Sequence, residues 1–343
     1  MRRLVVFILC LVIVGTIVET APDAGAQAGT VVVYSALDST VTTKILSAFE
    51  AASGLKTQAL TLAAAGTLAT RIIAEQARPQ ADIFLGGSID FHAPLAKQGL
   101  LLPYLSPRLS DAKLARQFYD PAGLWYVWYI GALAIIYNRD RFAKDVAPKG
   151  VQPPATWDDL VNPAYRGQLA LPSPITTGGG YIFVAAQIFR FGKDEDRAFA
   201  YLKQLAANAT FTPAAPTGIP LVARGEMIAG MNWGHDITSM AVNQGFPVAV
   251  VFPPDTATEL GGVSIINGGP NVAGARQFID FMLGRTAQDI NGKYGLRFPV
   301  RADVPSPMGM PQLSSLKFVN YDRQWAIDNQ MRVRDRWQRE IGK

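Results

Sequence analysis

The stretch TVVVYSALDSTVTTKILSAFEAASG, residues 30–54, decides the fold of this chain. Its opening run, Thr30 to Tyr34, is almost wholly β-branched, which predicts a strand buried on both faces, as in a parallel sheet. A polar turn, Ser35 to Ser39, comes next. Apolar residues then recur at the spacing of one helix face, and Gly54 stands where a glycine commonly ends a helix. The stretch is a unit of strand, turn and helix, whose helix face is formed by Val41, Ile45 and Phe49.

Strands and helices continue to alternate after this first unit. A charged amphipathic helix is predicted over Gln324–Ile341, at the end of the chain. Alternation of this kind predicts an α/β fold with mainly parallel sheets flanked by helices. The further strands are predicted at Thr57–Leu62, Asp82–Leu85, Leu133–Tyr137, Leu169–Leu171, Met227–Met231 and Val248–Phe252.

The chain that follows residue 28 is too long for one ordinary domain, and its pattern of strands restarts after an aromatic stretch around residues 125–129. We therefore predict two lobes. Lobe one is predicted over residues 29–128 and 258–305, and lobe two over residues 129–257 and 306–343.

The first 28 residues have the layout of a secretory signal peptide. A basic head, Arg2-Arg3, precedes an almost wholly apolar run from Leu4 to Val18, and Ala26-Gln27-Ala28 is a small-x-small cleavage site. The alternative is an uncleaved membrane anchor, but the run is shorter than the roughly 18–20 residues that span a bilayer. We expect cleavage near Ala28 and a periplasmic protein.

The single cysteine, Cys10, lies inside this predicted signal peptide. The processed protein would have no thiol for a disulfide, a nucleophile or a cysteine metal site. The formal net charge is +5, yet no run of Lys or Arg interleaved with aromatic residues indicates a nucleic-acid partner. A mildly basic protein of this kind is compatible with a small anionic ligand.

Polar turns follow several of the predicted strands, at predicted helix N-termini. In open α/β sheets the ligand binds outside the carboxyl ends of the strands. Free backbone N–H groups and the helix dipole favour an anion there, although any single turn can be a plain connection. These turns are Ser35–Ser39, Ala65–Thr67, Gly87–Ser88, Thr176–Gly179 and Trp233–Asp236.

Several short motifs, in order along the chain, resemble the type II solute-binding proteins of the ferric-iron-binding-protein-like family. Each motif is weak alone, and their number and order carry the resemblance from about residue 31 to the last helix. The motifs are ADIFLGGS at 81–88, ATWDDL at 155–160 followed by Asn162-Pro163, YRG at 165–167, RGE at 224–226, GHD at 234–236, ELGG at 259–262 and PVR at 299–301.

This resemblance implies two α/β lobes joined by crossing strands, which close on a ligand like a hinged trap. It also implies that the protein delivers its ligand to the membrane permease and ATPase of an ABC importer. We expect a monomer that needs no cofactor and has no partner other than its small-molecule ligand and the importer.

Ferric iron is one alternative ligand within the resembled family. Iron-binding members commonly hold Fe(III) with an adjacent tyrosine pair in the second lobe, often helped by a histidine after the first strand. The segment Phe211–Pro216 has no tyrosine, and Tyr34–Asp38 has no histidine. A hard trivalent cation wants charged oxygen ligands, so iron is the poorer hypothesis. A polyamine-type solute is a further alternative in the same fold.

A subgroup of the same family is similar to proteins that bind sugar phosphates or other organophosphates. In that subgroup a His-Asp pair and a downstream Glu hold ligand hydroxyls, while hydroxyl side chains and helix N-termini hold the phosphate. His235-Asp236 and Glu259 match these motifs, although Ser173–Gly180 departs from the usual Ser-Gly-Thr form. We therefore predict a small anionic solute (a sugar phosphate, organophosphate or phosphonate) held by Ser35, Asp38, Gly66, Thr67, Ser88, Thr176, Thr177, Gly178, His235, Asp236 and Glu259.

Ordinary structural roles compete with these assignments. His235 is as well explained by a hydrogen-bonded loop histidine, His92 by a structural role, and the aromatic residues 125–129 by core packing. A different class of function, a secreted hydrolase that uses Asp236 and Glu259 for acid–base chemistry, is possible in principle. The sequence carries neither a Gly-x-Ser-x-Gly elbow nor a His-Glu-x-x-His motif, so we predict no catalytic residues.

Overall fold

A computed structural model of the chain describes residues 29–62, 64–112 and 114–342. The predicted signal peptide, residues 1–28 with Cys10, lies outside the described residues. Within the described part of the chain, no helix has both the length and the apolar character to cross a membrane.

Ten strands form one continuous curled sheet. They are β1 Val31–Ser35, β2 Thr57–Thr61, β3 Ile83–Ser88, β4 Tyr126–Asn138, β5 Leu169–Pro172, β6 Ala209–Thr212, β7 Ala229–Trp233, β8 Val248–Val251, β9 Thr258–Ile265 and β10 Phe298–Pro299.

The helices cover both faces of this sheet. They are α1 Ser39–Ser53, α2 Ala65–Ala74, α3 Ile89–Lys97, α4 Leu109–Ala112, α5 Arg139–Asp145, α6 Gly178–Arg190, α7 Glu195–Ala207, α8 Gly218–Ala223, α9 Gly234–Ile237, α10 Val272–Met282, α11 Arg285–Ile290, α12 Arg323–Asp328 and α13 Gln330–Glu340. π-Helical turns at Thr238–Val242 and Asn291–Gly295 continue α9 and α11.

The first predicted unit of strand, turn and helix is confirmed by β1 and α1. Asp38 caps α1 by accepting a hydrogen bond of 2.8 Å from the backbone N–H of Val41. Gly54 ends the helix in the left-handed conformation, with φ 75°. The apolar face of α1 is buried against the first half of the sheet, because Val41, Ile45 and Phe49 are all within its core.

Each end of the sheet contains three parallel strands, and antiparallel strands join the two ends. β1 pairs in parallel with β2 and β3, and β5 pairs in parallel with β6 and β7. The antiparallel pairs all involve β4 or β9. The fold is therefore the predicted two-lobed α/β architecture, with the parallel strands confined to the body of each lobe.

Helices fill both faces of each half of the sheet. In the first half, α1, α10 and α11 pack on one face, and α2 and α3 pack on the other. In the second half, α6, α7 and α13 cover one face and α8 and α9 the other. This arrangement explains why the strands read as continuous apolar runs, since both of their faces are buried.

β4 runs through both halves. Its residues up to Ala132 pair with β9 and β10, and its residues from Leu133 onward pair with β7 and β8. The change of partner lies within four residues of the predicted first boundary at 128/129. The full lobe assignment, 29–128 with 258–305 and 129–257 with 306–343, stays a prediction.

Several expected elements differ from the observed ones. β4 begins at Tyr126, not Leu133, because the aromatic stretch before it is itself part of the strand. The predicted terminal helix is interrupted at Asn329, so α12 and α13 are separate. The pattern of Ala155–Leu160 predicts a short helix, whereas the structure has a 3₁₀ turn over Asp158–Val161. In so short a segment, the spacing of apolar residues does not distinguish an α-helix from a 3₁₀ turn.

Two adjacent glycines in β9 allow the buried side chains of His92 and Tyr129 to pack against this strand. A Cβ on Gly262 would lie 2.5 Å from Nε2 of His92, and a Cβ on Gly261 would overlap the ring of Tyr129. Both of these neighbours are buried, so they have no free space into which to move. The ELGG motif is thus explained in part by close packing.

We expect Gly261→Ala to lower the free energy of unfolding by about 1–3 kcal/mol, the usual cost of overpacking a core. Urea denaturation measures the change. Gly292→Ala is the matched control: its added Cβ would meet no atom closer than Pro307 Cγ at 4.0 Å. Equal stability of the two variants would contradict the packing role of Gly261.

Candidate ligand-binding site

A cavity of about 760 Å³ lies between the two halves of the molecule. Its walls are formed by turns that follow strands in both halves, as the topology of an open α/β sheet requires. Ten of the eleven sequence-predicted residues line it: Asp38, Gly66, Thr67, Ser88, Thr176, Thr177, Gly178, His235, Asp236 and Glu259.

Ser35 is the predicted residue that does not line the cavity. It is the last residue of β1 and is fully buried beneath the turn. Its Oγ lies 2.8 Å from Oγ1 of Thr42 and accepts a hydrogen bond of 3.3 Å from the N–H of Leu37. The assignment of Ser35 as a ligand residue is corrected, because its hydroxyl stabilises the start of α1.

Two helix N-termini from opposite halves meet at the cavity, at Gly66 and Thr67 of α2 and at Gly178 and Gly179 of α6. We call these four residues the amide cluster. The first N–H groups of a helix generally have no intrahelical acceptor, and the helix dipole makes this end positive. The N–H of Thr67 is an exception, because it donates to the carbonyl of Ala64 at 3.0 Å. Thr177 caps α6 through a 3.0 Å hydrogen bond from the N–H of Gly180. The amide cluster is therefore suited to an anion.

The ring of Phe91 lies between the two helix N-termini. A Cβ on Gly66 would lie 3.3 Å from Phe91 Cε1, and one on Gly178 would lie 3.0 Å from Phe91 Cε2. On the other side, a Cβ on Gly179 would lie 3.3 Å from Nε1 of Trp233. The glycines thus let the backbone amides approach close to two aromatic side chains that line the cavity.

The other predicted hydroxyl side chains differ in how far they are free to bind. Thr176 donates a 2.8 Å hydrogen bond to the backbone carbonyl of Pro213, and Ser88 caps α3 by accepting from the N–H of Asp90 at 3.3 Å. Both hydroxyls are therefore engaged by the protein itself. Thr67 is exposed at the cavity wall.

A second part of the cavity is charged. Asp38, Asp236 and Glu259 line it together with Arg297, and we call these four residues the charged cluster. Nη1 of Arg297 lies 3.4 Å from Oδ2 of Asp38, and Nη2 lies 4.0 Å from Oδ1 of Asp236. Arg297 thereby bridges the N-terminus of α1 in the first half of the molecule and α9 in the second half.

His235 borders the charged cluster. Its Nε2 lies 3.5 Å from Oδ1 of Asp236, and its Nδ1 has no hydrogen-bond partner within the described part of the chain. Burial, reinforced by the nearby Arg297 charge, lowers the pKa of His235 well below its usual value. The imidazole is therefore neutral at physiological pH, with one ring nitrogen free for a ligand.

The two inner carboxyl groups of the charged cluster are held in an environment that disfavours their ionised form. Burial raises the pKa of Asp236 to about 6 and that of Glu259 to about 7, with Arg297 acting in the opposite direction. Perturbed carboxyl groups that face a cleft are a common property of functional sites.

The cavity wall also contains two cationic residues that are not among the predicted ones, Arg297 and Arg334. Arg297 follows the π-helical turn Asn291–Gly295 and not a strand, so the pattern of polar turns at strand ends does not include it. One available signal was an arginine between two apolar residues, Leu296 and Phe298. Arg301 of the PVR motif instead pairs with Asp303 at 2.9 Å and does not line the cavity.

The surroundings of several other residues show whether they have a structural role or line the cavity. His92 is fully buried, with Nδ1 2.7 Å from Oγ of Ser264, so its structural role is confirmed. Of the aromatic residues 125–129, Tyr129 lines the cavity, whereas Tyr126 and Trp128 are core residues. Met240, whose spacing from Ile237 predicts an apolar anchor for the helix that carries Asp236, lies in the π-helical turn and is exposed at the cavity wall.

A metal site would need at least three grouped His, Cys, Asp or Glu side chains. Within residues 29–62, 64–112 and 114–342 no such group is present. The charged cluster also contains Arg297, whose guanidinium repels a cation.

The chain is similar to known proteins of one family. Residues 78–324 match the family described as bacterial extracellular solute-binding protein. The periplasmic binding protein AfuA of Actinobacillus pleuropneumoniae, solved with fructose-6-phosphate, shares 31% identity with a TM-score of 0.83, covering 92% of this chain and 99% of AfuA.

Two further proteins are similar to this chain. A putative 2-aminoethylphosphonate-binding periplasmic protein of Salmonella typhi is 27% identical over 248 residues, 70% of this chain and 68% of that protein. Iron-bound HitA of Pseudomonas aeruginosa has a TM-score of 0.79 at 18% identity, covering 92% of this chain and 100% of HitA. The likeness to HitA shows a shared fold.

The raised pKa of Glu259 predicts how the stability of the ligand-free protein depends on pH. Between its ordinary value near 4.5 and about 7, the folded protein retains a proton that the unfolded chain has lost. The free energy of unfolding therefore falls as pH rises through this window, by at most about 1.4 kcal/mol per pH unit for one group. Glu259→Gln should make this slope shallower.

Urea denaturation of the ligand-free protein at pH 5, 6 and 7 measures the slope. Glu226→Gln, a change at a glutamate whose side chain is 50% exposed, is the control and should leave the slope as in the wild type. If Glu259→Gln has the wild-type slope, Glu259 does not titrate as its burial indicates.

Proposed function

The chain belongs to the bacterial extracellular solute-binding protein family, and we propose that its cleft captures a small organophosphate or phosphonate for an ABC importer. The observation that carries this proposal is the pairing of two chemically different parts in one cavity, the amide cluster and the charged cluster. We propose that the protein acts in the periplasm as a monomer that presents its ligand to a membrane permease.

The amide cluster is the proposed position of the phosphate or phosphonate group. Backbone N–H groups at two helix N-termini donate hydrogen bonds without the desolvation cost of a lysine or arginine side chain. Thr67 adds an exposed hydroxyl at the same place. Arg334, which also lines the cavity, adds a positive charge to the wall. An oxyanion placed there would contact both halves of the molecule.

The charged cluster is the proposed position of the rest of the ligand. Asp236 and Glu259 supply carboxylate acceptors, and His235 supplies a free ring nitrogen. Groups that donate hydrogen bonds, such as hydroxyl or amino groups, satisfy these acceptors. AfuA was solved with fructose-6-phosphate, a ligand that combines a phosphate with several hydroxyls, and this supports the proposal.

Ligand contacts on both walls explain how capture is linked to closure. A ligand stabilises the closed form by as much as it binds that form better than the open one. Phosphate contacts to α2 and α6 lie on opposite halves, as do contacts to Asp38 and Asp236. The proposed ligand would therefore bind the closed form more tightly, and the permease would recognise that form.

Ferric iron fits the cavity less well. The segment Pro213–Pro216 lines the wall with small residues that offer no charged oxygen. Tyr129 does line the cavity, but burial, together with the Glu259 charge, raises the pKa of its phenol well above the usual value. A phenol that stays protonated is a poor ligand for a hard trivalent ion.

A hydrolase is also a poorer fit than a binding protein. Asp236 and Glu259 could serve as acid and base, but within the described residues Nδ1 of His235 has no hydrogen-bond partner and Nε2 faces Asp236, so the histidine is not paired with a hydroxyl nucleophile. AfuA and the Salmonella typhi relative are both described as binding proteins. We propose that the bound compound leaves the protein chemically unchanged.

We expect calorimetric titration to separate the two parts of the cavity. Thr67→Val should weaken binding of both inorganic phosphate and fructose-6-phosphate. Asp236→Ala and Glu259→Ala should each weaken fructose-6-phosphate by roughly ten- to hundredfold and leave inorganic phosphate unchanged, because they leave ligand donors unpaired at about 1–3 kcal/mol each.

Thr43→Val is the matched control for Thr67→Val, since Thr43 is exposed on α1 and does not line the cavity. If neither phosphate ligand binds the wild type, the proposed function is wrong. If Asp236→Ala and Glu259→Ala lower the melting temperature without any change in affinity, the carboxylates are structural.

We expect ferric citrate to leave the protein colourless, because iron–phenolate sites absorb visible light and no tyrosine pair is available around residues 211–216. Visible absorption spectra before and after loading and desalting test this. A stable coloured complex at one iron per protein would replace the organophosphate proposal by an iron-binding function.

A further inference from the structure

We propose that Arg297 is the residue that selects the ligand's distal group, so that the charged cluster accepts a hydroxyl-bearing group and rejects an ammonium group. This inference rests on the proposed function, since it assumes that a phosphate or phosphonate occupies the amide cluster. It narrows the ligand to phosphate esters of polyols.

The first support is the number of unused donors on Arg297. A guanidinium carries five N–H donors. The contacts to Asp38 and Asp236 are 3.4 Å and 4.0 Å long, beyond the 2.7–2.9 Å that is usual for a charged N–H···O hydrogen bond. Nε has no partner within the described residues, although the side chain is only 7% exposed. Nε itself is buried, so the donors left for ligand oxygens are those of the two Nη groups, of which Nη1 makes one long hydrogen bond to Asp38 and Nη2 only a 4.0 Å contact to Asp236.

The second support is that the guanidinium is held in place. It stacks on the ring of Tyr129 at 5.1 Å from the centroid. Leu296, the preceding residue, has a positive φ of 53°, and Asn291–Gly295 is π-helical. A Cβ on Gly295 would lie 2.5 Å from Nη1 of Arg297. Unfavourable backbone geometry of this kind is found at functional sites, and it leaves the cation little freedom to move away from a ligand.

The third support is the mixture of donors and acceptors that the distal group would meet. Asp236 and Glu259 accept hydrogen bonds, whereas Arg297 only donates them. A hydroxyl group can do both, so two neighbouring hydroxyls can satisfy a carboxylate and the guanidinium together. An ammonium group only donates. It would leave the Arg297 donors unpaired and place a like charge beside them, both of which cost binding free energy.

The three carboxyl groups of the charged cluster do not reverse this preference. Asp38 already caps α1, and its side chain is 48% exposed, so water screens its charge. The raised pKa values of Asp236 and Glu259 mean that these carboxyl groups carry less than their full negative charge near neutral pH. The attraction for an ammonium group is weakened accordingly, while the guanidinium keeps its charge.

A matched pair of ligands tests the inference on the unaltered protein. 2-Hydroxyethyl phosphate and 2-aminoethyl phosphate have the same length and differ in the terminal group, hydroxyl or ammonium. We expect calorimetry to show at least about tenfold tighter binding of the hydroxyl compound, and fructose-6-phosphate to bind more tightly than 2-aminoethylphosphonate. Equal affinities, or a preference for the amino compounds, would overturn the inference.

Variants then assign the preference to the residue. Arg297→Gln should weaken 2-hydroxyethyl phosphate by about ten- to hundredfold, weaken inorganic phosphate less, and reduce or invert the preference over 2-aminoethyl phosphate. Arg301→Gln is the control, since Arg301 pairs with Asp303 outside the cavity and should leave all three affinities unchanged. An equal loss for all three ligands in Arg297→Gln would show that Arg297 does not select the distal group.

Failure of the proposed function gives a different pattern. If inorganic phosphate and both ethyl phosphates all fail to bind the wild type, the phosphate assignment itself is wrong. If all three bind and the two ethyl phosphates are not distinguished, the phosphate assignment stands and the role of Arg297 is rejected. Should Arg297→Gln fold poorly, Arg297→Lys keeps the like charge but offers fewer, differently arranged donors, so it should weaken 2-hydroxyethyl phosphate and lose only part of the hydroxyl preference.

Discussion

The rest of the structure depends on β4, a strand of thirteen residues that both halves share. Its residues up to Ala132 pair with β9, and its residues from Leu133 onward pair with β7. Because backbone hydrogen bonds to both of these strands are made by one rigid element, the two halves have a common frame. Gly131 lies at this junction, where a Cβ would be 3.0 Å from the His235 ring and 3.2 Å from Oε2 of Glu259. The base of the cleft and the connection between the lobes are therefore the same piece of chain.

The packing around β4 shows why small residues are needed at this junction. β9 lies beside it and brings Gly261 and Gly262 against Tyr129 and His92. The large aromatic side chains fill the space that the glycines leave. The ring of Tyr129 in turn stacks against the guanidinium of Arg297. Core packing and the electrostatics of the cavity are thus joined through one tyrosine.

The electrostatics of the cleft follow from burial with incomplete pairing. Arg297 faces Asp38, Asp236 and Glu259 without a close ion pair to any of them. The guanidinium is therefore charged but not fully hydrogen-bonded. Such an arrangement costs stability in the ligand-free protein. A ligand that completes the hydrogen bonds recovers part of that cost, which is how a binding protein can gain affinity from its own unsatisfied groups.

The sequence by itself determined the alternation of strands and helices, the glycine that ends α1, and ten of the eleven residues placed around the cavity. These are local properties: apolar periodicity and capping residues act within a few positions along the chain, and polar turns mark the ends of parallel strands. Ser35 was misplaced because a hydroxyl at a strand end can face inward as easily as outward. Arg297 was missed because its role depends on partners at residues 38, 129, 236 and 259. Only the tertiary structure brings those positions together, since the path of β4 and β9 between the lobes is set by long-range packing that no short segment records.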